Sequence, residues 1–253
     1  RTMLTHPIIE KLTSLRLAAM ARTLEEQMKM PDVGTLSFEE RLGLMVDREM
    51  IERENRSLQR RLRNARLRER ACMEDIDYRS SRGLNRSLMK SLASCAWLAS
   101  HENVLITGPT GAGKTWIACA LGHRACMEGH SVLYRRMPAL LRELAAAKND
   151  GTYGRLIAAA AKTDLVVLDD WGLERLNHEQ SLDLLELLED RYGNRSTLVA
   201  AQVPVDKWHE TVSDPTLADA IMDRLIHNAH RIEMKGGSLR MKNPALTGTK
   251  EKE

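Results

Sequence analysis

The spacing of hydrophobic residues changes about a third of the way along the chain. Up to about residue 74, apolar side chains recur at helical intervals, which predicts one helix from Ile8 to Met28 that ends at the breaker Pro31–Gly34. A second helix is predicted to begin at Ser37, because Ser37 and Glu40 have the spacing of a capping box. This second helical pattern continues to about residue 74. The first part of the chain therefore predicts a small all-α domain.

Short aliphatic runs alternate with helical stretches in the rest of the chain. A polar segment at 79–83 and a short helix near 84–98 lead into the first aliphatic run. Such alternation is typical of a parallel sheet covered by helices on both faces. Asn177 and Gln180 predict a capped helix after the third strand. The predicted strands are 103–107, 131–135, 165–169, 197–201 and 230–234.

Composition narrows the class of protein. With 253 residues, of which 43% are hydrophobic, the chain can form one α/β domain and a smaller helical module. No apolar run approaches the roughly 20 residues of a membrane span, and charges occupy the N-terminal stretch where a secretion signal needs apolar residues. The four cysteines form no Cys-x-x-Cys pair, which argues against a zinc clip or a disulfide framework. We therefore expect a cytoplasmic protein that does not contact membranes.

A complete phosphate-binding loop is the most specific motif. It reads Gly-Pro-Thr-Gly-Ala-Gly-Lys-Thr between the strand at 103–107 and a predicted helix. Its glycines let backbone N–H groups approach phosphates, and the positive end of the helix dipole adds to the attraction. Lys114 is expected to bridge the β- and γ-phosphates of ATP, and Thr115 to bind Mg²⁺. The candidate nucleotide contacts are Gly108, Pro109, Thr110, Gly111, Ala112, Gly113, Lys114, Thr115 and Trp116.

An acidic strand end is expected to complete the site. Four aliphatic residues precede Asp169 and Asp170, about fifty residues after the phosphate loop. Mg²⁺ requires an oxygen ligand opposite the loop, and hydrolysis requires a polarised water. Asp169 is therefore the predicted magnesium-side acid and Asp170 the predicted base, although such a sequence can also be an ordinary strand end. Trp116 and Trp171 border these motifs and could stack on adenine, but their positions favour packing of helix against sheet.

Arginines are concentrated in one part of the predicted second helix. Eight arginines and two glutamates between Arg53 and Arg70 give a local net charge of +6, against +3 for the whole chain. Helical spacing places five of them on one arc that suits the phosphates of duplex DNA. No aromatic residue interleaves the run, which argues against stacking on single-stranded bases, and a solvated or internally paired face is the alternative. The arginines of this arc are Arg53, Arg56, Arg60, Arg63 and Arg70. Arg135 and Arg136, at the end of the second strand, are further candidates for DNA contact.

The order of these motifs resembles the IstB and DnaC helper ATPases of the AAA+ initiator clade. The resemblance is carried by the phosphate loop, Asp169–Gly172, Ser196–Pro204 and Asp223–Leu225, and Leu15–Ala21 is similar to IstB in particular. It covers about residues 4–242 and implies an AAA+ P-loop NTPase of α/β class, with a five-stranded parallel sheet flanked by helices and a small all-α N-terminal domain. The expected domains are 1–75 for DNA or partner binding, 76–245 for the ATPase without a full C-terminal lid, and 246–253 as a tail.

The resemblance also implies roles for single residues. Gln202 corresponds to a polar sensor, Arg224 to an arginine finger that enters the site of a neighbouring subunit, and Arg240 is the only candidate for a second sensor. Most AAA+ proteins have Glu where this chain has Asp170, from which we expect slow basal hydrolysis. The implied partners are duplex DNA, which the helper deforms, the transposase IstA, and further copies of the chain joined through the ATPase interface.

Two other functions are compatible with the same motifs. A replicative helicase loader of the DnaC type would share the ATPase and differ in what its N-terminal domain binds. A non-catalytic DNA scaffold with a structural nucleotide site would bind DNA equally well with and without ATP. ATP-dependent assembly and DNA-stimulated release of phosphate would distinguish the scaffold from the other two.

Overall fold

The computed structural model describes residues 6–78 and 82–237 of the chain. Contacts between Cα atoms divide the chain after Arg60 into a helical unit and a larger α/β unit. This division lies within a long helix, and the expected domain boundary near residue 75 stays a prediction. No helix in the described ranges combines the length and the apolar content that are needed to cross a bilayer.

The helical unit begins with two helices, so the prediction of one helix from Ile8 to Met28 was wrong. Helix α1 (Pro7–Ser14) and helix α2 (Ala18–Lys29) are separated by a turn in which Arg16 has a left-handed φ of 60°. Glu49 accepts hydrogen bonds from two N–H groups in the first turn of α2, at 2.9 and 3.4 Å, and so caps that helix. A cap that comes from about thirty residues away cannot be read from helical spacing.

Helix α3 (Phe38–Ala65) begins as predicted and ends early. The Glu40 N–H donates to Ser37 Oγ at 3.2 Å and the Ser37 N–H donates to the Glu40 carboxylate at 2.7 Å, which confirms the capping box. The predicted continuation to residue 74 was wrong, because Arg66 has a left-handed φ of 52° that interrupts the helix. Arg70 therefore lies beyond the helix and outside the predicted arginine arc.

The α/β unit contains a parallel five-stranded sheet, and all five predicted strands are confirmed. Their order is β2-β3-β4-β1-β5, so the strand before the phosphate loop lies between the fourth and fifth strands. The carboxyl ends of parallel strands meet at one edge of a sheet, which is where ligands bind in such folds. The strands are β1 (Asn103–Thr107), β2 (Val132–Arg136), β3 (Leu165–Trp171), β4 (Ser196–Ala201) and β5 (Ala229–Glu233).

The sheet is flanked by helices, most of which the sequence predicted in outline. The predicted helix at 84–98 is divided in two, because Cys95 has a left-handed φ of 58° between its halves. The capping box of Asn177 and Gln180 is confirmed at the start of α9. The helices described in this unit are α4 (Arg86–Ala93), α5 (Ala96–Ala99), α6 (Lys114–Met127), α7 (Met137–Asn149), α8 (Tyr153–Lys162), α9 (His178–Arg191) and α10 (Pro215–Ile226).

A hydrophobic core lies between the sheet and helices α7 to α10. Trp171, at the end of β3, is 1% exposed, and its ring centroid lies 5.2 Å from that of Trp208. This confirms the expected core role of Trp171. Helix α6 is buried almost completely and packs on β1 to β4, which fixes the phosphate loop at its N-terminus relative to the sheet.

Candidate nucleotide-binding site

The loop Gly108–Thr115 connects β1 to α6 at the carboxyl edge of the sheet, as predicted. Gly108 has a φ of 148°, and a Cβ atom there would lie 2.4 Å from the carbonyl oxygen of Met234. Gly113 has a φ of 100° and immediately precedes α6. Only glycine accepts these conformations without strain, and Gly108 also has no room for a side chain. The loop borders a cleft of about 430 Å³.

Lys114 lies inside the loop and bonds to it. Its Nζ donates to the carbonyl oxygens of Gly108 at 2.7 Å and Pro109 at 2.9 Å. Burial lowers the pKa of Lys114, while the nearby carboxylates of Asp169 and Asp170 raise it. A buried ammonium group within a glycine-rich loop at a helix N-terminus is well placed to bind a polyphosphate.

Thr115 and Asp169 form a pair of oxygen ligands. Thr115 Oγ1 donates to Asp169 Oδ2 at 2.8 Å, and the Tyr134 hydroxyl donates to the same oxygen at 2.7 Å. Asp169 is 1% exposed. Within the described ranges no group of three or more His, Cys, Asp or Glu side chains could hold a metal by itself. The pair therefore fits Mg²⁺, which usually takes one or two protein oxygens and completes its shell with phosphate oxygens and water.

Asp170 faces the same cleft but is paired with a cation. Its backbone has a φ of 61°, at a point where the pairing of β3 with β4 is irregular. The Asp170 N–H donates to Asp169 Oδ1 at 2.9 Å. Arg136 Nε donates to Asp170 Oδ2 at 2.6 Å, and this bond raises the pKa of Arg136. Arg136, a candidate for DNA contact, thus lines the nucleotide cleft. The ion pair with Arg136 thus occupies one carboxylate oxygen of Asp170.

Gln202 meets the phosphate loop from the end of β4. Thr110 Oγ1 donates to Gln202 Oε1 at 2.8 Å, and both residues line the cleft. The structure thus brings together nine of the predicted nucleotide-site residues, from the loop after β1 and the carboxyl ends of β3 and β4. These residues are Thr110, Gly111, Gly113, Lys114, Thr115, Trp116, Asp169, Asp170 and Gln202.

Arg68 and Glu69 also line this cleft, and the sequence gave no reason to place them there. They follow α3 in a segment that carries no nucleotide motif, so only the tertiary structure identifies them. Trp116, unlike Trp171, is half-buried, and it borders both this cleft and an adjoining pocket of about 240 Å³. Because it adjoins the phosphate loop at Gly113, this pocket is the candidate position for the base of a bound nucleotide. Its apolar lining consists of Ile76, Leu84, Trp116, Ile117 and Met234.

Arg224 lies at the opposite edge of the sheet. The side-chain amide of Asn103, at the start of β1, donates to the Arg224 carbonyl oxygen at 2.9 Å. The phosphate loop follows the other end of β1, roughly 13 Å away along the strand. The Arg224 guanidinium group donates to Glu189 at 2.6 and 3.0 Å and lies 5.8 Å from the centroid of the Tyr192 ring. Arg224 therefore does not contact the cleft of its own chain.

The arginines that were candidates for DNA contact differ in their surroundings. Arg53 and Arg56 donate to Glu49 at 2.8 and 3.2 Å, and the bond from Arg53 contributes most to the lowered pKa of Glu49. Arg60 and Arg63 are exposed on α3. Arg135 donates to Glu143 at 3.0 Å, and its side chain is only 13% exposed. Arg240 lies outside the described residues. A role of these arginines in DNA binding stays a prediction.

Comparison with known sequences identifies close relatives. A family described as IstB-like ATP binding protein matches residues 10–247. The insertion sequence ATP-binding protein y4pL of Sinorhizobium fredii is 51% identical over 238 residues, which cover 94% of this chain and 97% of that protein. The ATP-binding protein of insertion sequence IS1162 from Pseudomonas fluorescens is 48% identical over 203 residues, covering 80% of this chain and 88% of that protein.

Comparison with solved structures identifies the same fold. DnaI has a TM-score of 0.56 and 23% identity over 67% of this chain and 90% of its own. The DnaC helicase loader has a TM-score of 0.56 and 17% identity over 65% of this chain and 97% of its own. At these identities the likeness concerns the fold alone, and it confirms the predicted α/β fold with a parallel sheet flanked by helices.

Proposed function

Because the chain belongs to the family of IstB-like ATP-binding proteins, we propose that it is the ATP-hydrolysing, DNA-binding helper of a transposition reaction. The observation that carries the proposal is the convergence of phosphate loop, acidic pair and polar sensor on one cleft. Nucleotide binding alone requires only the loop and a metal ligand. Transfer of a phosphoryl group to water also requires groups that position and deprotonate the water, and an additional carboxylate and an amide near the terminal phosphate can do this.

The proposed reaction assigns a task to each side chain of the cleft. Lys114 leaves the loop carbonyls and pairs with the β- and γ-phosphates, while Thr115 and Asp169 would hold Mg²⁺. When bound, the metal ion neutralises phosphate charge. Asp170, once released from Arg136, accepts a proton from the attacking water at its carboxylate, and Gln202 orients that water.

We propose that a second copy of the chain completes the site. Arg224 is the predicted arginine finger, and its place at the opposite edge of the sheet is compatible with action on a neighbour and not on its own cleft. To act, its guanidinium group must leave Glu189 and meet the negative charge that develops on the transferred phosphoryl group. ATP bound at the interface would thus stabilise a homo-oligomer.

Duplex DNA and a transposase are the proposed partners. In an oligomer, the exposed arginines of α3 form a repeated basic surface that suits DNA phosphates, and a DNA bend over 20–30 base pairs costs on the order of 1–6 kcal/mol. The relatives belong to insertion sequences, which favours a transposase of the IstA type as the protein partner. The family match also includes most of the helical unit, and this favours an insertion-sequence helper over a helicase loader.

Parallel measurements of hydrolysis and assembly test the proposal. We expect the wild-type chain to release phosphate from ATP faster with duplex DNA, and to form large assemblies with a non-hydrolysable ATP analogue but not with ADP. Lys114→Ala is expected to abolish both phosphate release and assembly. Lys90→Ala, which removes an exposed lysine of α4, is the control. DNA binding that is equal with ATP, with ADP and without nucleotide would favour the scaffold. Binding to the helicase rather than the transposase in a pull-down would favour the loader.

A further inference from the structure

The segment Arg66–Arg70, called the connector below, is attached to the α/β unit along helix α6. Ala65 and Ala71, the residues on either side of it, are 0% and 1% exposed. The Leu67 side chain packs against Gly122 of α6, where a Cβ atom would lie 3.0 Å from a Leu67 methyl carbon. The absence of a side chain at Gly122 thus provides the space that Leu67 occupies. Both ends and the middle of the connector are therefore fixed by packing.

The connector follows one face of α6 towards the phosphate loop. Arg61, just before it, donates from Nε to the Cys126 carbonyl oxygen at 2.8 Å near the C-terminus of α6. Further along, the backbone of Arg68 and Glu69 lies beside the Cys119 thiol. Residues three and four apart share a face of a helix. The residues on this face are Thr115, Cys119, Gly122 and Cys126.

The Arg68 side chain extends from the connector to the phosphate cleft. It lines the cleft together with Lys114 and Asp169, and 41% of it is exposed. It lies beside the hydroxyl of Tyr134, which donates to Asp169 at 2.7 Å. Its nearest carboxylate contact is Glu69, at 3.8 Å. The guanidinium group thus lies at the rim of the cleft without a close carboxylate partner among the described residues.

We propose that Arg68 binds the terminal phosphate of ATP in its own subunit, so that the connector distinguishes ATP from ADP. This inference rests on the proposed function. An arginine fork binds phosphate oxygens in pairs and more strongly than it binds a neutral hydroxyl, so ATP would draw Arg68 away from Tyr134. ADP lacks the phosphate that does this. No helix follows β5 before Gly237, where the described residues end, and the connector thus supplies a cation that does not depend on a lid.

The position of Arg68 gives this contact a consequence beyond nucleotide affinity. The connector begins where α3 ends, one turn after Arg63, a predicted DNA-contacting residue. The segment that carries Arg68 follows α3 directly and packs against α6 at Leu67. We therefore expect a shift of Arg68 towards the phosphate to alter the last turn of α3. In this way the nucleotide state would reach the basic end of that helix.

Nucleotide affinities measured without DNA test the assignment. For Arg68→Ala we expect affinity for a non-hydrolysable ATP analogue with Mg²⁺ to fall by about tenfold or more and affinity for ADP by less than about twofold. Arg66→Asn is the matched control, because it removes a connector charge outside the cleft and asparagine tolerates the left-handed conformation there.

Hydrogen exchange of the connector provides a second readout. In the wild type we expect amides near residues 66–71 to be better protected with the ATP analogue than with ADP, and in Arg68→Ala we expect no such difference. Equal losses of affinity for the ATP analogue and for ADP in Arg68→Ala would show a structural role and overturn the proposal. A wild-type chain that binds neither nucleotide would instead overturn the proposed function. Normal wild-type binding with unchanged selectivity in Arg68→Ala would overturn only the role of Arg68.

Discussion

At the scale of single residues, the nucleotide cleft is arranged so that its reactive groups are held by other protein groups. Lys114 bonds to loop carbonyls, and Thr115 bonds to Asp169. Asp170 bonds to Arg136, and Gln202 bonds to Thr110. In the proposed reaction, each of these contacts is exchanged for a contact to nucleotide, metal or water before hydrolysis. The slow basal hydrolysis that we expect would follow from this arrangement as well as from the short side chain of Asp170.

Arg136→Ala tests whether the ion pair restrains the base. Loss of the 2.6 Å bond leaves Asp170 free to accept a proton, so we expect hydrolysis without DNA to rise a few-fold with little change in nucleotide affinity. Phosphate release at saturating ATP is the measurement. Asp170→Asn is the reference for loss of the base, and we expect it to decrease the rate of phosphate release by about 10²-fold or more. A decrease of that size in Arg136→Ala would mean that Arg136 takes part in the reaction itself.

The sequence predicted the residues of the cleft better than their contacts. The phosphate loop and the acidic strand end were recognisable because they are local motifs, with all their parts within a few positions. Arg68 reaches the cleft from a segment without a motif, and Tyr134 reaches Asp169 from the neighbouring strand β2. Contacts of this kind depend on packing between distant elements. A single sequence therefore contained no local signal for them.

At the scale of elements, backbone conformation at three non-glycine residues limited what periodicity could predict. Arg16, Arg66 and Cys95 have positive φ values and separate or end helices that the apolar spacing predicted as longer. None is Gly or Pro, so the sequence contains no breaker at these points. The strands were predicted to within about two residues, because buried parallel strands give short aliphatic runs with clear ends.

The cap that Glu49 provides to α2 predicts how the helical unit responds to substitution. Glu49→Ala removes two hydrogen bonds at the helix start and leaves two arginines unpaired, so we expect a loss of about 2 kcal/mol in the free energy of unfolding. Thermal or chemical unfolding of the wild type and the variant gives this value. Glu54, like Glu49, belongs to α3, but its side chain is exposed, so Glu54→Ala is the control and should lower the free energy of unfolding by less than about 0.5 kcal/mol.

The pH dependence of this cap has a definite sign. Hydrogen bonding to Arg53 and to the α2 N–H groups lowers the pKa of Glu49 below its ordinary value of 4.5. A carboxylate whose pKa is lowered by folding stabilises the folded state above the unfolded pKa, and this contribution is lost as pH falls through the folded pKa. The stability difference between the wild type and Glu49→Ala should therefore be full near neutral pH and shrink below about pH 4.5.

Helix α3 also predicts which arginines contribute most to DNA binding. Arg53 and Arg56 share the negative charge of Glu49, whereas Arg60 and Arg63 make no such contact to it. Replacing Arg60 and Arg63 together with Gln should reduce the slope of log affinity against log salt by about two units for duplex DNA. The same replacement of Arg53 and Arg56 should reduce it less. Binding titrations at several salt concentrations measure both, and equal slopes for the two variants would contradict the prediction.

At the scale of the whole molecule, two opposite edges of the sheet have complementary tasks in the proposed assembly. The carboxyl edge holds the nucleotide cleft, and the other edge holds Arg224, so each protomer offers one half of a shared site on each side. Repetition of one such contact produces a ring or a helical filament. In either form, ATP hydrolysis would require the assembly, because each proposed site combines groups from two protomers.

Mixing two inactive variants tests this division of tasks. A Lys114→Ala protomer keeps Arg224, and an Arg224→Ala protomer keeps its nucleotide cleft, so a mixed interface contains one complete site. We expect each variant alone to hydrolyse ATP at less than about a tenth of the wild-type rate, and the mixture to recover part of that rate. Mixing Arg224→Ala with the double variant is the control and should give no recovery. Equal rates in both mixtures would argue against an arginine finger at this position.

The close approach of Gly108 to Met234 affects how the chain can vary. The Met234 N–H also donates to the Thr107 carbonyl oxygen at 2.7 Å, so the backbone after β5 lies against the start of the phosphate loop. An insertion or deletion between α10 and Met234 would place a different peptide unit against Gly108, where there is no space for additional atoms. We therefore expect natural changes in chain length near the C-terminus to occur after Met234. A shortened protein must retain Met234 to preserve the conformation of the phosphate loop.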